Sequence, residues 1–191
     1  MRRRVMVGLM VAVFGLLAGC TGPVAPASPV WTPTLDPVES VTPTLVSPWT
    51  AEEQVVVDAV TRYLAEWSRI GQDLEAADWN DIRDVATDPA AEQDLLMWSR
   101  WQQNGWHLVG AQTFGARAVT FDRQDDFGAW YFVDGCTSIV GSDLVDANGQ
   151  SVGGSGRRDI TVDRYSVAIA TSQGVLVADS QESPEGVNLQ C

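Results

Sequence analysis

Residues 88–114 read DPAAEQDLLMWSRWQQNGWHLVGAQTF, and the character of the chain changes within them. The first part has helical spacing. Asp88 is placed to cap a helix, and Pro89 stands at its first position, where a missing N–H leaves no hydrogen bond unmade. The helix runs through Leu95, Leu96, Trp98 and Trp101, its aromatics reading as core, and Gly105 is the expected stop. From Trp106 the period becomes two: Trp106, Leu108 and Phe114 fall on one face of a strand over residues 106–114.

Upstream the pattern is helical. Thr50 and Glu53 form a Thr-x-x-Glu capping box, and Val56, Val57, Val60, Tyr63, Leu64, Trp67 and Ile70 form an apolar stripe that ends near Gly71. A short second helix fits residues 78–86, with Asp78 as cap and Trp79 and Ile82 facing inward. Downstream the pattern is extended. Residues 117–123 form a strand with Val119 and Phe121 on one face, and residues 129–140, 160–171 and 175–180 form three more. Ser172, Gln173 and Gly174 make the last hairpin turn. Asn148, Gly149 and the run 153–156 mark a long, flexible connection. Helices first and an antiparallel sheet after them define an α+β domain, with the helices covering one face of a curved sheet. It spans residues 50–191.

Residues 20–49 differ in kind. Prolines at 23, 26, 29, 33, 37, 43 and 48, interspersed with serine and threonine, remove backbone donors and favour extended chain. At about 3.1 Å per residue such a linker reaches roughly 90 Å. Ahead of it, residues 1–19 have the three regions of a secretory signal: Arg2, Arg3 and Arg4, an apolar run over 5–18, and small residues at Ala18 and Gly19. That run is shorter than the roughly 20 residues a membrane-spanning helix needs.

Leu17, Ala18, Gly19 and Cys20 resemble the bacterial lipobox. The resemblance implies that the Cys20 thiol receives a diacylglyceryl group and that a dedicated peptidase cuts before it. The mature chain would then be held in the bilayer at the outer face of the cell membrane by its acyl chains. Two cysteines remain, Cys136 and Cys191. An oxidising location favours a disulfide between them; two free thiols and a nucleophilic Cys136 are the alternatives.

The chain has no lysine and a formal charge of −13; with Arg2, Arg3 and Arg4 removed, nine arginines face 25 acids. A surface this acidic repels nucleic acid and anionic headgroups. Without lysine there is no Gly-x-x-x-x-Gly-Lys phosphate loop. A single histidine, His107, excludes multi-histidine metal sites, and Cys136 and Cys191 lack the paired spacing of a zinc site. Asp143, Asp146 and Asn148 do not match the calcium-loop pattern and read as turn residues. No metal or cofactor is expected.

The domain resembles the nuclear transport factor 2-like cone, also called SnoaL-like or cystatin-like, and in particular the small surface lipoproteins of high-GC Gram-positive bacteria that carry it. The features are the lipobox, the Pro/Thr linker, the Thr50 helix with Tyr63 and Trp67, and the segment 105–110. To these add Asp134-Gly135-Cys136 and the strand 174–179. Enzymes of this fold, isomerases and dehydratases, place an acid, a tyrosine or a histidine in the cone. By position the resemblance offers Tyr63, Tyr131, Asp134 and His107. None matches a catalytic motif, so no catalytic residue is assigned. Eight tryptophans favour a cone filled by its own side chains. The expected function is a non-catalytic binding or scaffolding module for an envelope protein or a small apolar ligand. The alternative is an enzyme using the cone pocket.

Overall fold

In the computed structural model, residues 47–154, 156–183, 189 and 191 are described. Cys20, the leader and nearly all of the linker lie outside them.

Thr50 caps α1 (Ala51–Gln72): its hydroxyl accepts from the Glu53 amide at 3.3 Å, and the Glu53 carboxylate accepts from the Thr50 amide at 2.8 Å. A cap of this kind contributes about 1 kcal/mol. The stripe beyond it buries Val56, Val60, Tyr63, Leu64, Trp67 and Ile70 against the sheet. The helix ends at Gln72, near Gly71 as expected, with Asp73 as its cap. Gly71 lies in the last turn, where an added Cβ would press on Leu108 and Trp101 at 3.3 Å. The glycine lets α1 approach its neighbours closely.

A 3-10 helix, Trp79–Asp84, follows, capped by Asp78, with Ile82 fully buried and Trp79 half-buried. The chain then runs beside the last strand. Thr87 donates to the Val177 carbonyl at 2.8 Å and Val177 donates to Val85 at 3.0 Å, which covers that sheet edge. Helix α2 spans Ala90–Asn104, and its cap position is Pro89, with no side-chain bond. Asp88, the expected cap, lies one residue too far back, and its carboxylate accepts from Arg83 at 3.0 Å. The helix ends as expected at Gly105, left-handed at φ 69°, with Trp106 bonding back to Trp101 at 2.8 Å. Its inward stripe is Ala91, Asp94 and Trp98, with Leu95 and Trp101 half-buried, while Leu96 is 62% exposed.

The single strand expected over 106–114 is two. Gly110, at φ 71°, breaks it, because a side chain there would collide with the Gly141 carbonyl. β1 (His107–Val109) pairs with the short β4 (Asp143–Val145), which lies in the stretch read as a flexible connection. β2 (Thr113–Gln124) contains Phe114 together with the strand expected at 117–123. It opens an antiparallel sheet of order β2-β3-β5-β6, with β3 at Gly128–Ser138, β5 at Ile160–Ala170 and β6 at Gly174–Glu182. The chain is thus helices followed by a curved antiparallel sheet, an α+β fold. Gly135 is needed here: the Phe114 ring occupies the space its Cβ would fill.

Period-two alternation gives the sheet two faces. Tyr131, Val133, Tyr165, Val167 and Val177 join the helices in the core. Asp134, paired in register with Arg164, and Cys136 point to the other face. There Cys136 and Cys191 are paired, their Cα atoms 5.7 Å apart across a separation of 55 residues. Among the described residues no helix is long and apolar enough to cross a membrane.

Candidate functional site

On α1, Tyr63 and Trp67 are four residues apart and so share a face. Both aim a donor at one acid on α2. The Tyr63 hydroxyl donates to Asp94 Oδ2 at 2.8 Å and the Trp67 indole N–H donates to Oδ1 at 2.9 Å. Asp94 is only 7% exposed. Burial pushes its carboxyl up to about 6, against the opposing pull of the two hydrogen bonds. Burial raises Tyr63 as well, and the adjacent Asp94 charge adds to it.

Aromatic rings build the surroundings. Trp67 lies edge-on to Trp101 at 5.5 Å and tilted to Trp98 at 6.4 Å. Tyr63 meets Tyr165 at 6.3 Å, and Tyr165 meets Phe114 at 5.1 Å. The Tyr165 hydroxyl pairs with Thr137 at 3.0 Å. A cleft of about 270 Å³ opens over this cluster, bounded by Tyr63, Trp67, Asp94, Met97 and Tyr165. A second cleft, of about 260 Å³, shares Gln112, Tyr165 and Ser180 with the first and extends past Asp163 and Glu182. Together they form one groove.

Of the four residues chosen by position, only Tyr63 comes to this groove. Asp134 is buried on the opposite face, where Arg164 grips both its oxygens at 2.8 and 2.9 Å and Ser183 adds a bond at 3.1 Å. The Arg164 guanidinium also lies over the Phe132 ring at 4.9 Å. Both oxygens of Asp134 are held by the chain's own guanidinium, so it acts as a structural ion pair. Tyr131 donates to Glu52 in the first turn of α1, and that bond pushes its hydroxyl up to about 12. His107, half-buried on β1, lines a separate cleft of about 270 Å³ with Gln72, Glu75 and Gln102. Asp146 accepts from the Asn148 and Gln150 amides at 2.8 and 2.9 Å, closing a turn, and Asp143 holds Arg157 at 2.9 Å. Among the described residues no cluster of three or more His, Cys, Asp or Glu side chains is arranged to hold a metal ion.

No family model matches the chain. No curated protein matches it either. Among solved structures it is similar to the intermembrane space region of the chloroplast protein ARC6, with a TM-score of 0.52 and 14% identity over 71% of this chain and 98% of that one. At that identity the likeness concerns the fold: helices on a curved sheet. It assigns no role to the groove. That role must come from the groove's own residues.

Asp94 was not among the residues chosen from the sequence, although a signal for it existed. Counting back from Trp101 and Trp98 by helical steps places residue 94 on the inward stripe, and a buried acid there requires partners. The partners were the two polar-tipped aromatics already noted on the first helix.

Proposed function

We propose that this chain is an exported lipoprotein, anchored through Cys20 at the outer face of the cell membrane. Its α+β domain, of nuclear transport factor 2-like type, serves there as a non-catalytic binding module. Support for the anchor is the coincidence of Arg2 to Arg4, the apolar run, the small residues and Cys20. The pairing of Cys136 with Cys191 fits an oxidising location.

The observation that carries the non-catalytic reading is how the groove's donors are used. Tyr63 and Trp67, the groups an isomerase would turn toward a substrate oxygen, both point at Asp94. Behind them the space is filled by Trp98, Trp101, Tyr165 and Phe114. An isomerase or dehydratase reading draws on Asp94, whose carboxyl near pH 6 suits a general acid or base. Among the described residues, its only further donors would be the neutral side chains of Gln93, Gln112 and Ser180.

Two measurements test the proposal. Replacing Cys20 with Ala should move the protein from the membrane fraction to the medium, and the mature N-terminus should carry an acyl mass; unchanged fractionation with no acyl mass would defeat the anchor. A thermal-shift screen of small metabolites should find stabilising ligands that are recovered unaltered. Turnover of a stabilising compound would favour the enzyme reading.

A further inference from the structure

Asp94 is a buried carboxylate without a cation. The ion pairs among the described residues do not include it, and its two partners are neutral donors. A carboxylate offers about four lone-pair sites, so acceptor capacity remains on a group that faces a cleft. Asp134, just as buried, has a guanidinium of the chain's own on both oxygens.

The walls of the groove share a character. Tyr63, Trp67 and Tyr165 bound it with largely buried aromatic rings. Asp163 and Glu182 add acids, Glu182 paired with Arg158 at 3.1 Å. Gln93, Gln112 and Ser180 add neutral polar groups, and no arginine lines either cleft. The titratable groups closest to Asp94 are Tyr63 on α1 and Tyr165 on β5, neither cationic, while Ser180 of β6 and Gln112 ahead of β2 are uncharged. Aromatic faces beside a carboxylate attract organic cations through the ring quadrupole as well as through charge. A bare metal ion does not fit, since the described residues supply no cluster of three or more of its usual side-chain ligands.

We propose that the groove beside Asp94 binds a small organic cation, an ammonium or guanidinium on a short apolar body, with Asp94 as its counter-ion and Tyr63, Trp67 and Tyr165 as its aromatic wall. This rests on reading the domain as a binding module and names the chemistry of its ligand. It also agrees with the excess of 25 acids over 12 basic residues in the whole chain, which draws cations toward the surface.

The test uses the full chain in detergent micelles at constant ionic strength. Butylammonium and butylguanidinium are titrated at pH 7.5 while tryptophan emission is followed, with butanol and butyrate as neutral and anionic comparators. One or both cations should saturate the signal and bind at least about tenfold more tightly than either comparator. Asp94→Asn should weaken the cation about tenfold or more. The unaltered chain supplies a control that needs no variant: at pH 5 about a tenth of Asp94 is ionised, so cation binding should weaken about tenfold. No saturable cation binding, equal binding of butanol, or affinity unchanged at pH 5 would each overturn the inference. Equal binding of butanol would leave the binding-module reading standing, so the two failures are distinguishable.

Discussion

Asp134 and Asp94 are both nearly inaccessible, at 4% and 7% exposure, yet they lie on opposite faces of the sheet and are held in opposite ways. On the outer face Asp134 has Arg164 on both oxygens, Ser183 as a third partner, and the Cys136–Cys191 pairing beside it. The charge is neutralised where it is made, and Arg164 is itself held more firmly protonated. Asp94, between α1 and α2, has two neutral donors and a cleft. Its burial is compensated only in part, and its carboxyl rises toward neutrality as a result. Burial alone therefore does not separate a structural acid from a candidate functional one. What separates them is whether the chain supplies the counter-charge.

If that distinction is right, the outer face should be the more fragile one when a partner is removed. Arg164→Ala leaves Asp134 buried and unpaired, which should cost about 3–5 kcal/mol in urea unfolding at pH 7. The double change Asp134→Leu with Arg164→Met removes both charges and should fall within about 1–2 kcal/mol of the parent. Equal losses from the single and double variants would show that packing, not pairing, holds this face. Next in size is Cys191→Ser. In the chain-entropy model a closed loop of 55 residues is worth about 4 kcal/mol at most, and reduction of the parent should reproduce the loss. Equal stability of the parent with and without reductant would break this side of the comparison.

How much of this could be read in advance differs by region for physical reasons. The first helix was legible because the Thr50 capping box and a long apolar stripe agree with each other. The second helix is legible in extent and in its core tryptophans. Its apolar residues alone do not fix the inward side; the helical step from Trp98 puts Asp94 inside and Leu96 outside. Residues 106–114 alternate well enough to read as one strand; what divides them is the close approach of Gly110 to the chain at Gly141, a contact between segments far apart in sequence. β4 has three residues, too few to show a period. Asp134 stands on the expected strand, but the resemblance offers it inside the cone, whereas alternation from the buried Val133 puts it on the outer face. For Asp94 the helical step is the one local signal; the partners that give it a role lie 27 and 31 residues away on another helix.

The inner site is sharpened by pH. The Asp94 carboxyl rises from 3.8 to about 6 on folding, so the folded state binds its proton more tightly than the unfolded chain does. Its contribution to stability is fully present below about pH 3.8 and is lost as pH rises to about 6. That amounts to about 3 kcal/mol at most. Glu53, Glu66, Asp125 and Asp146 are shifted the other way and lose stability on acidification, so the Asp94 effect must be read as a difference. Asp94→Asn should gain on the parent as pH rises from 4 to 6.5, with the gap constant beyond. A parallel pair of stability curves would mean that the Asp94 charge is compensated after all.

The smallest effect probes the donor side. Tyr63→Phe removes one of the two hydrogen bonds to Asp94 while keeping the ring against Tyr165. At pH 7.5 the lost bond is to a carboxylate and should cost about 2 kcal/mol; at pH 4 the acid is neutral and the loss should be about 1 kcal/mol. Because that bond holds the acid down, the Asp94 titration seen by carboxyl carbon NMR should also move upward in the variant. Tyr165→Phe provides the matched control. Its hydroxyl pairs with Thr137, a neutral partner, so its loss should be about 1 kcal/mol and should not grow with pH. A Tyr63→Phe loss that is equally flat with pH would mean that the hydroxyl never faces a charge, and Asp94 would then be a buried neutral acid with nothing to offer a cation.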